Sequence, residues 1–181
     1  MIRTVRAAGF AAVMLGFALS FASPLAAFEG GSAAVVAAEA AALGTLDEQV
    51  ERSAITQTAD AEQDCLANAV YFEARGEPIE GQLAVAEVVL NRVASKRYPD
   101  TICEVVVQPA QFSYVRNRII PRADRSSEAW RKAVAVARIA QAGTADAVGS
   151  DVLWYHADYV SPSWGRRLDR QDKIGLHIFY S

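Results

Sequence analysis

The chain has 181 residues, 52% of them hydrophobic and 22% charged, with a formal net charge of −3. That is enough apolar material for one packed domain and too much for a disordered chain. No basic excess points to a nucleic acid partner.

Arg3 and Arg6 precede an uncharged apolar run from Ala7 to Ala22. A basic start, a short apolar middle and small residues after it form the layout of a secretory signal, and residues 1–27 are assigned to one. Cleavage is placed after Ala22 or Ala27. The run is shorter than the ~20 residues a spanning helix needs. An uncleaved anchor is the alternative, and only then is a membrane a partner. The expected location is outside the cytoplasm, in the periplasm. In such an oxidising compartment the two cysteines, Cys65 and Cys103, are expected as a disulfide.

Residues 28–58 are rich in alanine and poor in aromatics, and are read as a linker or a loosely attached helix. The compact domain is expected over residues 59–181. Its first helix is predicted from about Asp60 to Arg75, with Leu66, Ala69, Val70 and Glu73 on one face. Gly76 is expected to cap it and Pro78 to prevent continuation. A second helix is predicted from about Ile79 to Lys96, with Ile79, Leu83, Ala86, Leu90 and Val93 as its apolar stripe. Thr101 with Glu104 has the pattern of a capping box before a short helix ended by Pro109. A loop follows, carrying Arg116, Arg118, Arg122 and Arg125. A third helix is predicted from about Ser127 to Ala142, stopped by Gly143. The tail then changes period: Val152 to Ala157 and Ile174 to Tyr180 both alternate as strands do, separated by a segment rich in Pro, Gly and Arg. The fold class is α+β, a mainly helical body with a small antiparallel sheet.

Glu73 is unusual for its spacing. Leu66, Val70 and Glu73 stand at i, i+4 and i+7, so a carboxylate shares the inward stripe. Lost hydration disfavours its charged form, and the nearby helix C-terminus acts in the same direction. An acid so raised can donate a proton near neutral pH. The alternative is an ion pair with Arg75 or another arginine that merely closes the helix. Glu77 and Glu80 are competing acids, but a glutamate near a helix N-terminus is expected for dipole reasons alone.

The stretch CLANAVYFEARGEPIEGQLAVAEVVLNRV, continued by YPDTICEVVVQPAQFSYV and KIGLHIFYS, resembles the SleB-type cell wall hydrolase family, which includes the spore-cortex-lytic enzymes. The resemblance covers roughly Asp64 to Ser181. It implies a fold similar to lysozyme and the soluble lytic transglycosylases, with a catalytic Glu at the end of the first domain helix, a place that Glu73 occupies. It also implies peptidoglycan as substrate, cleaved next to N-acetylmuramic acid, and a lytic transglycosylase outcome with a 1,6-anhydro end. The stretch before the domain is too short and too Ala-rich for the wall-binding repeat of some spore enzymes, which puts spore-cortex specificity in doubt.

No convincing second carboxylate accompanies Glu73, because Asp100, Asp124, Asp151, Asp158, Asp169 and Asp172 all sit in turn or loop contexts. A transglycosylase needs none, since one group can act first as acid and then as base. No cofactor and no metal are expected. Candidate sugar contacts are Tyr71, Gln108, Gln111, Phe112, Ser113, Tyr114 and Tyr155, with Phe72 and Trp154 as ready to be core. The arginines from Arg116 to Arg125, with Arg166, Arg167 and Arg170, are candidates for the anionic stem peptides or are plain surface charge.

Two other function classes stay open on sequence. A cysteine peptidase or amidase would use Cys65 with His156 or His177 as base. A non-catalytic wall-binding protein would use the same fold without the acid. A zinc enzyme is weaker, since only two histidines exist and no His-Glu-x-x-His pattern occurs.

Overall fold

The computed structural model describes residues 44–181. The expected signal segment, 1–27, and the first part of the expected linker lie outside the described residues. Among the described residues no helix is long and apolar enough to cross a membrane.

Among the described residues five α-helices precede three strands: α1 Leu46–Ser53, α2 Ala61–Ala74, α3 Ile79–Ala94, α4 Ile102–Val106 and α5 Glu128–Ala142, then β1 Trp154–Ala157, β2 Arg170–Ile174 and β3 His177–Tyr180. The α+β architecture expected from the change of period is therefore observed. Four of these helix starts are fixed by a side-chain cap. Asp60, Thr101 and Ser127 cap α2, α4 and α5 by accepting from the backbone N–H groups of Gln63, Glu104 and Trp130. Gly143, in the left-handed region at φ 60°, ends α5. Gly76 does not play that part for α2, whose cap is Arg75 in a right-handed helical conformation.

Helix α1 falls inside the stretch read as linker. Thr45 and Glu48 form a reciprocal capping box, and Val50 is 2% exposed in the helical core. The apolar signal is thin, one fully buried side chain in eight residues, and the alanines before it obscure it. The chain between α1 and α2 is also tied down, because the buried Trp130 indole N–H donates to the Thr56 carbonyl at 2.9 Å.

Helix α3 divides the core. Residues 81–89 are all buried, as expected of a helix enclosed on every side. Leu83, Ala86 and Val89 face α2, α4 and α5, where Leu66, Val70, Val105, Trp130 and Val134 complete one cluster. Ala84, Val85 and Val88 face the sheet, with Val152, Ile174 and Phe179.

The sheet differs from the two-strand expectation. Its order is β1-β3-β2, with both pairings antiparallel. The run Ile174–Tyr180 is broken by a turn at Gly175 and Leu176, because Ile174 pairs with His177 across it. Gly175 has φ 57°, and a Cβ there would run into the Glu77 carboxylate. The turn resets the faces, so Ile174 and Phe179, which an unbroken strand would put on opposite faces, are both buried, and Leu176 is 54% exposed. Strand β2 escapes a hydrophobicity reading because four of its five residues are exposed.

Cys65 and Cys103 form a disulfide that joins α2 to α4. The same junction is held by Glu62, whose carboxylate accepts from the N–H groups of Ile102 at 2.6 Å and Cys103 at 3.2 Å. The crosslink closes a loop of sequence separation 38. The chain-entropy model gives such a loop about 4 kcal/mol. Replacing both cysteines by serine is therefore expected to lower the unfolding free energy by about that amount. Urea denaturation of the two proteins checks it, and an unchanged midpoint would show that the bond constrains nothing the fold has not already fixed.

Candidate active site

Glu73 stands in the last turn of α2, one residue before its end, and is half-buried. The phenol of Tyr155, on β1, donates to its Oε2 at 3.3 Å. None of the ion pairs among the described residues involves Glu73. Arg75, the partner that would have made it an ordinary helix-closing residue, is exposed and lies 4.9 Å over the Tyr71 ring instead. Burial pushes the Glu73 carboxyl above its ordinary range, and the Tyr155 hydrogen bond and the Arg92 charge offset part of that rise.

Glu77, the nearest competing acid, is committed elsewhere, accepting from the Leu176 N–H at 2.8 Å to hold the β2–β3 turn. Glu80 is exposed at the start of α3. The rise of the Glu73 carboxyl is thus offset by a phenol and a guanidinium, Tyr155 and Arg92.

Arg92 is absent from the residues expected on sequence, yet it belongs to the site. It is 5% exposed, donates from Nε to the Leu153 carbonyl at 2.9 Å, and lies over the rings of Tyr98 and Phe112. Burial pulls its guanidinium below the ordinary range, while Tyr98, Tyr155 and Glu73 act the other way. A signal for it exists: Arg92 stands at i+3 from Val89 and i+4 from Val88, so it shares an apolar stripe as Glu73 does. Glu87, on the same helix, is a third buried charge, satisfied by the N–H groups of Ala147 and Val148.

The other expected site residues separate into three groups. Tyr71 and Phe112 are corrected to core: they are 6% and 3% exposed, Tyr71 edge-on to Trp130 and Phe112 beneath Arg92, so neither ring offers a face to a sugar. Tyr155 and Tyr114 gather at Glu73. Tyr114 stacks on Phe72 with centroids 4.8 Å apart, and burial together with the Glu73 charge raises its phenol far above the ordinary range. Tyr155 is raised for the same two causes, so both phenols remain protonated donors. The Tyr114 hydroxyl, Gln108 Oε1 and Arg92 Nη1 are buried with no hydrogen-bond partner among the described residues. Gln111 and Ser113 are exposed on the same loop, on either side of the inward Phe112.

Neither histidine is hydrogen-bonded to Glu73. His156 Nε2 lies 2.9 Å from the Tyr180 hydroxyl, and His177 is buried edge-on to Tyr155, its Nδ1 without a hydrogen-bond partner among the described residues. Among the described residues no group of three or more His, Cys, Asp or Glu is placed to hold a metal ion. The thiol that a cysteine peptidase would need at Cys65 is bonded to Cys103. A cavity of about 660 Å³ opens beside the turn that follows α2, lined by Arg75, Glu77, Ile79, Gln82, Lys132 and others, and Glu73 is not among its walls.

The raised carboxyl has a consequence for stability. A group whose folded pKa exceeds its unfolded value contributes stability below the unfolded pKa and loses it as pH rises through the folded one. Glu73→Gln removes that loss while its Oε1 still accepts from Tyr155. The variant is expected to melt a few degrees above the parent at pH 7–8 and level with it well below the ordinary 4.5. Calorimetry across pH checks the sign; a lower melting temperature at neutral pH would mean that the carboxylate is stabilising.

The cell wall hydrolase family model matches residues 76–180, a span that begins three residues after Glu73. The chain is 38% identical over 117 residues to a spore cortex-lytic enzyme of Oceanobacillus iheyensis, covering 63% of this chain and 39% of that protein. It is 35% identical over 114 residues to the spore cortex-lytic enzyme of Bacillus subtilis, covering 63% and 35%. The chain thus spans well under half the length of these curated relatives. Among solved structures it is similar to the catalytic domain of the germination-specific lytic transglycosylase SleB from Bacillus anthracis, with a TM-score of 0.53 and 36% identity over 66% of this chain and 93% of that one. The family match covers more than half of the residues, and the chain belongs to the cell wall hydrolase family.

Proposed function

We propose that this protein cleaves the glycan strands of peptidoglycan next to N-acetylmuramic acid, as a lytic transglycosylase with Glu73 as its single acid and base. The observation that carries the reading is the half-buried Glu73 carboxyl, raised by burial and held by Tyr155, on a domain of this family. In the ground state a protonated Glu73 donates to the bridging oxygen, and the bond between that oxygen and the anomeric carbon breaks. The carboxylate left behind then takes the proton of the muramic 6-hydroxyl as that oxygen bonds to the anomeric carbon. Glu73 ends protonated again, no water is consumed, and the product carries a 1,6-anhydro ring. A glycosidase with a second carboxylate would deliver water instead; the hydrogen bond that Glu73 accepts here comes from a phenol, Tyr155.

Gln111 and Ser113, exposed on the loop that carries Tyr114, are suited to the hydroxyl and acetamido groups of a bound sugar, whereas the unpartnered Tyr114 hydroxyl, Gln108 Oε1 and Arg92 Nη1 are buried. Tyr155, first a candidate sugar contact, acts here on the acid: it fixes the carboxylate and limits how far its pKa climbs. The basic, apolar N-terminal segment and a wall substrate together favour an exported, periplasmic protein, with residues 1–27 removed or kept as an anchor.

Glu73→Gln is expected to reduce release of soluble muropeptides from purified sacculi by 100-fold or more, roughly the scale of general acid–base catalysis. Mass spectrometry of the parent's products is expected to find ends lighter by one water than hydrolysed ends. Full activity in the variant would remove Glu73 from the chemistry, and hydrolysed ends alone would replace the transglycosylase outcome with a hydrolase.

Tyr155→Phe deletes a hydrogen bond that favours the charged carboxylate, so the Glu73 pKa rises further. Activity that needs protonated Glu73 falls as pH passes that pKa. The alkaline limb of the pH–rate profile is therefore expected to move to higher pH in Tyr155→Phe. A limb that stays in place, or moves down, would separate Tyr155 from the acid.

A further inference from the structure

The stretch from Val105 to Ala123 holds three arginines and no acidic residue, in a chain of net charge −3. The structure sorts the arginines that the sequence leaves as one group. Arg125 is committed, pairing with Asp64 at 2.8 Å and lying 4.8 Å over the Trp130 ring. Arg116, Arg118 and Arg122 are exposed and enter none of the ion pairs among the described residues.

Two of the three sit on a tight hairpin. Arg116 and Ile119 exchange backbone hydrogen bonds of 3.1 and 2.9 Å and form an isolated antiparallel bridge. The residues between them, Asn117 and Arg118, have φ of 51° and 62°. Two-residue turns of this kind favour Asn followed by Gly, because both centres are left-handed. Asn117 fits that rule. Arg118 occupies the place where glycine would be least strained, so the local backbone gives no reason for an arginine there. The hairpin's position is fixed: Val115 and Ile120 pack against the helical core, and Tyr114 stacks on Phe72 beside Glu73. Its tip projects, with Ile119 68% exposed.

We infer that the Arg116–Ile119 hairpin, with Arg122, binds the carboxylates of the peptides that substitute the muramic residues of peptidoglycan. This rests on the glycan reading of the Glu73 site, since a strand held at Glu73 carries its peptide stems past the loop that Tyr114 begins. A planar guanidinium matches a carboxylate with two parallel hydrogen bonds, which favours arginine over a diffuse positive charge. The exposed Ile119 side chain adds an apolar contact for a short peptide.

The test uses the full chain carrying Glu73→Gln, so that binding is measured without cleavage, on sacculi free of phosphate polymers. One sample keeps its peptide carboxylates and in the other they have been converted to neutral amides. The Glu73→Gln protein is expected to bind the carboxylate-bearing sacculi about tenfold more tightly, a salt-sensitive difference on the scale of a few exposed charge contacts. Adding Arg116→Gln, Arg118→Gly and Arg122→Gln is expected to abolish that preference without lowering the melting temperature, because Arg118→Gly relieves a strained position. Equal binding to both sacculi, or a preference that survives the three substitutions, would overturn the inference. Muropeptide release by the parent reports on the glycan reading alone. A retained binding preference without release upholds the peptide site and removes the catalytic reading; release without preference does the reverse.

Discussion

The hydrogen bond from Tyr155 to Glu73 joins residues 82 apart in sequence, and most of the packing serves to make it possible. Glu73 is set by α2, a helix capped at Asp60 and bonded covalently to α4. Tyr155 is set by β1, which must be brought to the end of that helix from the other side of α3. Asn91 donates to the carbonyls of Gly149 and Val152, and Arg92 to that of Leu153. These bonds hold the chain against α3 just before β1 begins. Pairing with β3 then fixes the direction of β1, and Glu77 holds the turn that leads into β3. The two glutamates on either side of Gly76 therefore act on one structure. Glu73 presents the carboxyl, and Glu77 anchors the sheet that grips it.

Helix α3 serves both as wall and as bracket. Its apolar residues separate the helical cluster from the sheet cluster. Apart from the exposed Glu80, its polar residues Gln82, Glu87, Asn91 and Arg92 bind other segments of the chain. Gln82 donates to the Glu77 carbonyl, Glu87 accepts from Ala147 and Val148, and Asn91 and Arg92 bind the chain entering β1. Buried polar groups without partners cost far more than satisfied ones gain, so each of these bonds specifies where its partner segment must lie. Removing Arg92 would strand the Leu153 carbonyl and also withdraw the guanidinium charge that restrains the Glu73 pKa.

What the sequence discloses about this arrangement follows the strength of the local signals. Helices α2, α3 and α5 are legible because their apolar spacing and caps coincide; a capping pattern alone marks the short α4. Glu73 is legible because a charge on an apolar stripe breaks the pattern. The same reasoning applied to Arg92 would have found the second charge of the site, but arginine on a long helix is easily assigned to the surface. Tyr71 and Phe112 mislead for the opposite reason. An aromatic near a candidate acid suits a sugar, yet nothing local reveals that Trp130 and Arg92 from other helices cover these rings. Strand β2 and helix α1 are hidden because their stability is tertiary: an exposed polar strand exists only by pairing with β3, and α1 has one buried anchor.

The balance of forces on Glu73 is suited to a group that must act in both directions. Full burial with no partner would hold a carboxyl neutral and make it a poor base after the first proton transfer. An intimate arginine pair, the arrangement that Arg75 does not provide, would hold it ionised and make it a poor acid. Here burial raises the pKa, while a phenol and a buried guanidinium restrain the rise. Tyr155 and Tyr114 keep their own protons because the Glu73 charge and their burial oppose ionisation. Of the groups gathered at this corner, the carboxyl is therefore the one whose surroundings favour neither its charged nor its neutral form alone. A chemistry that first gives and then takes a single proton needs that property more than it needs a second acid.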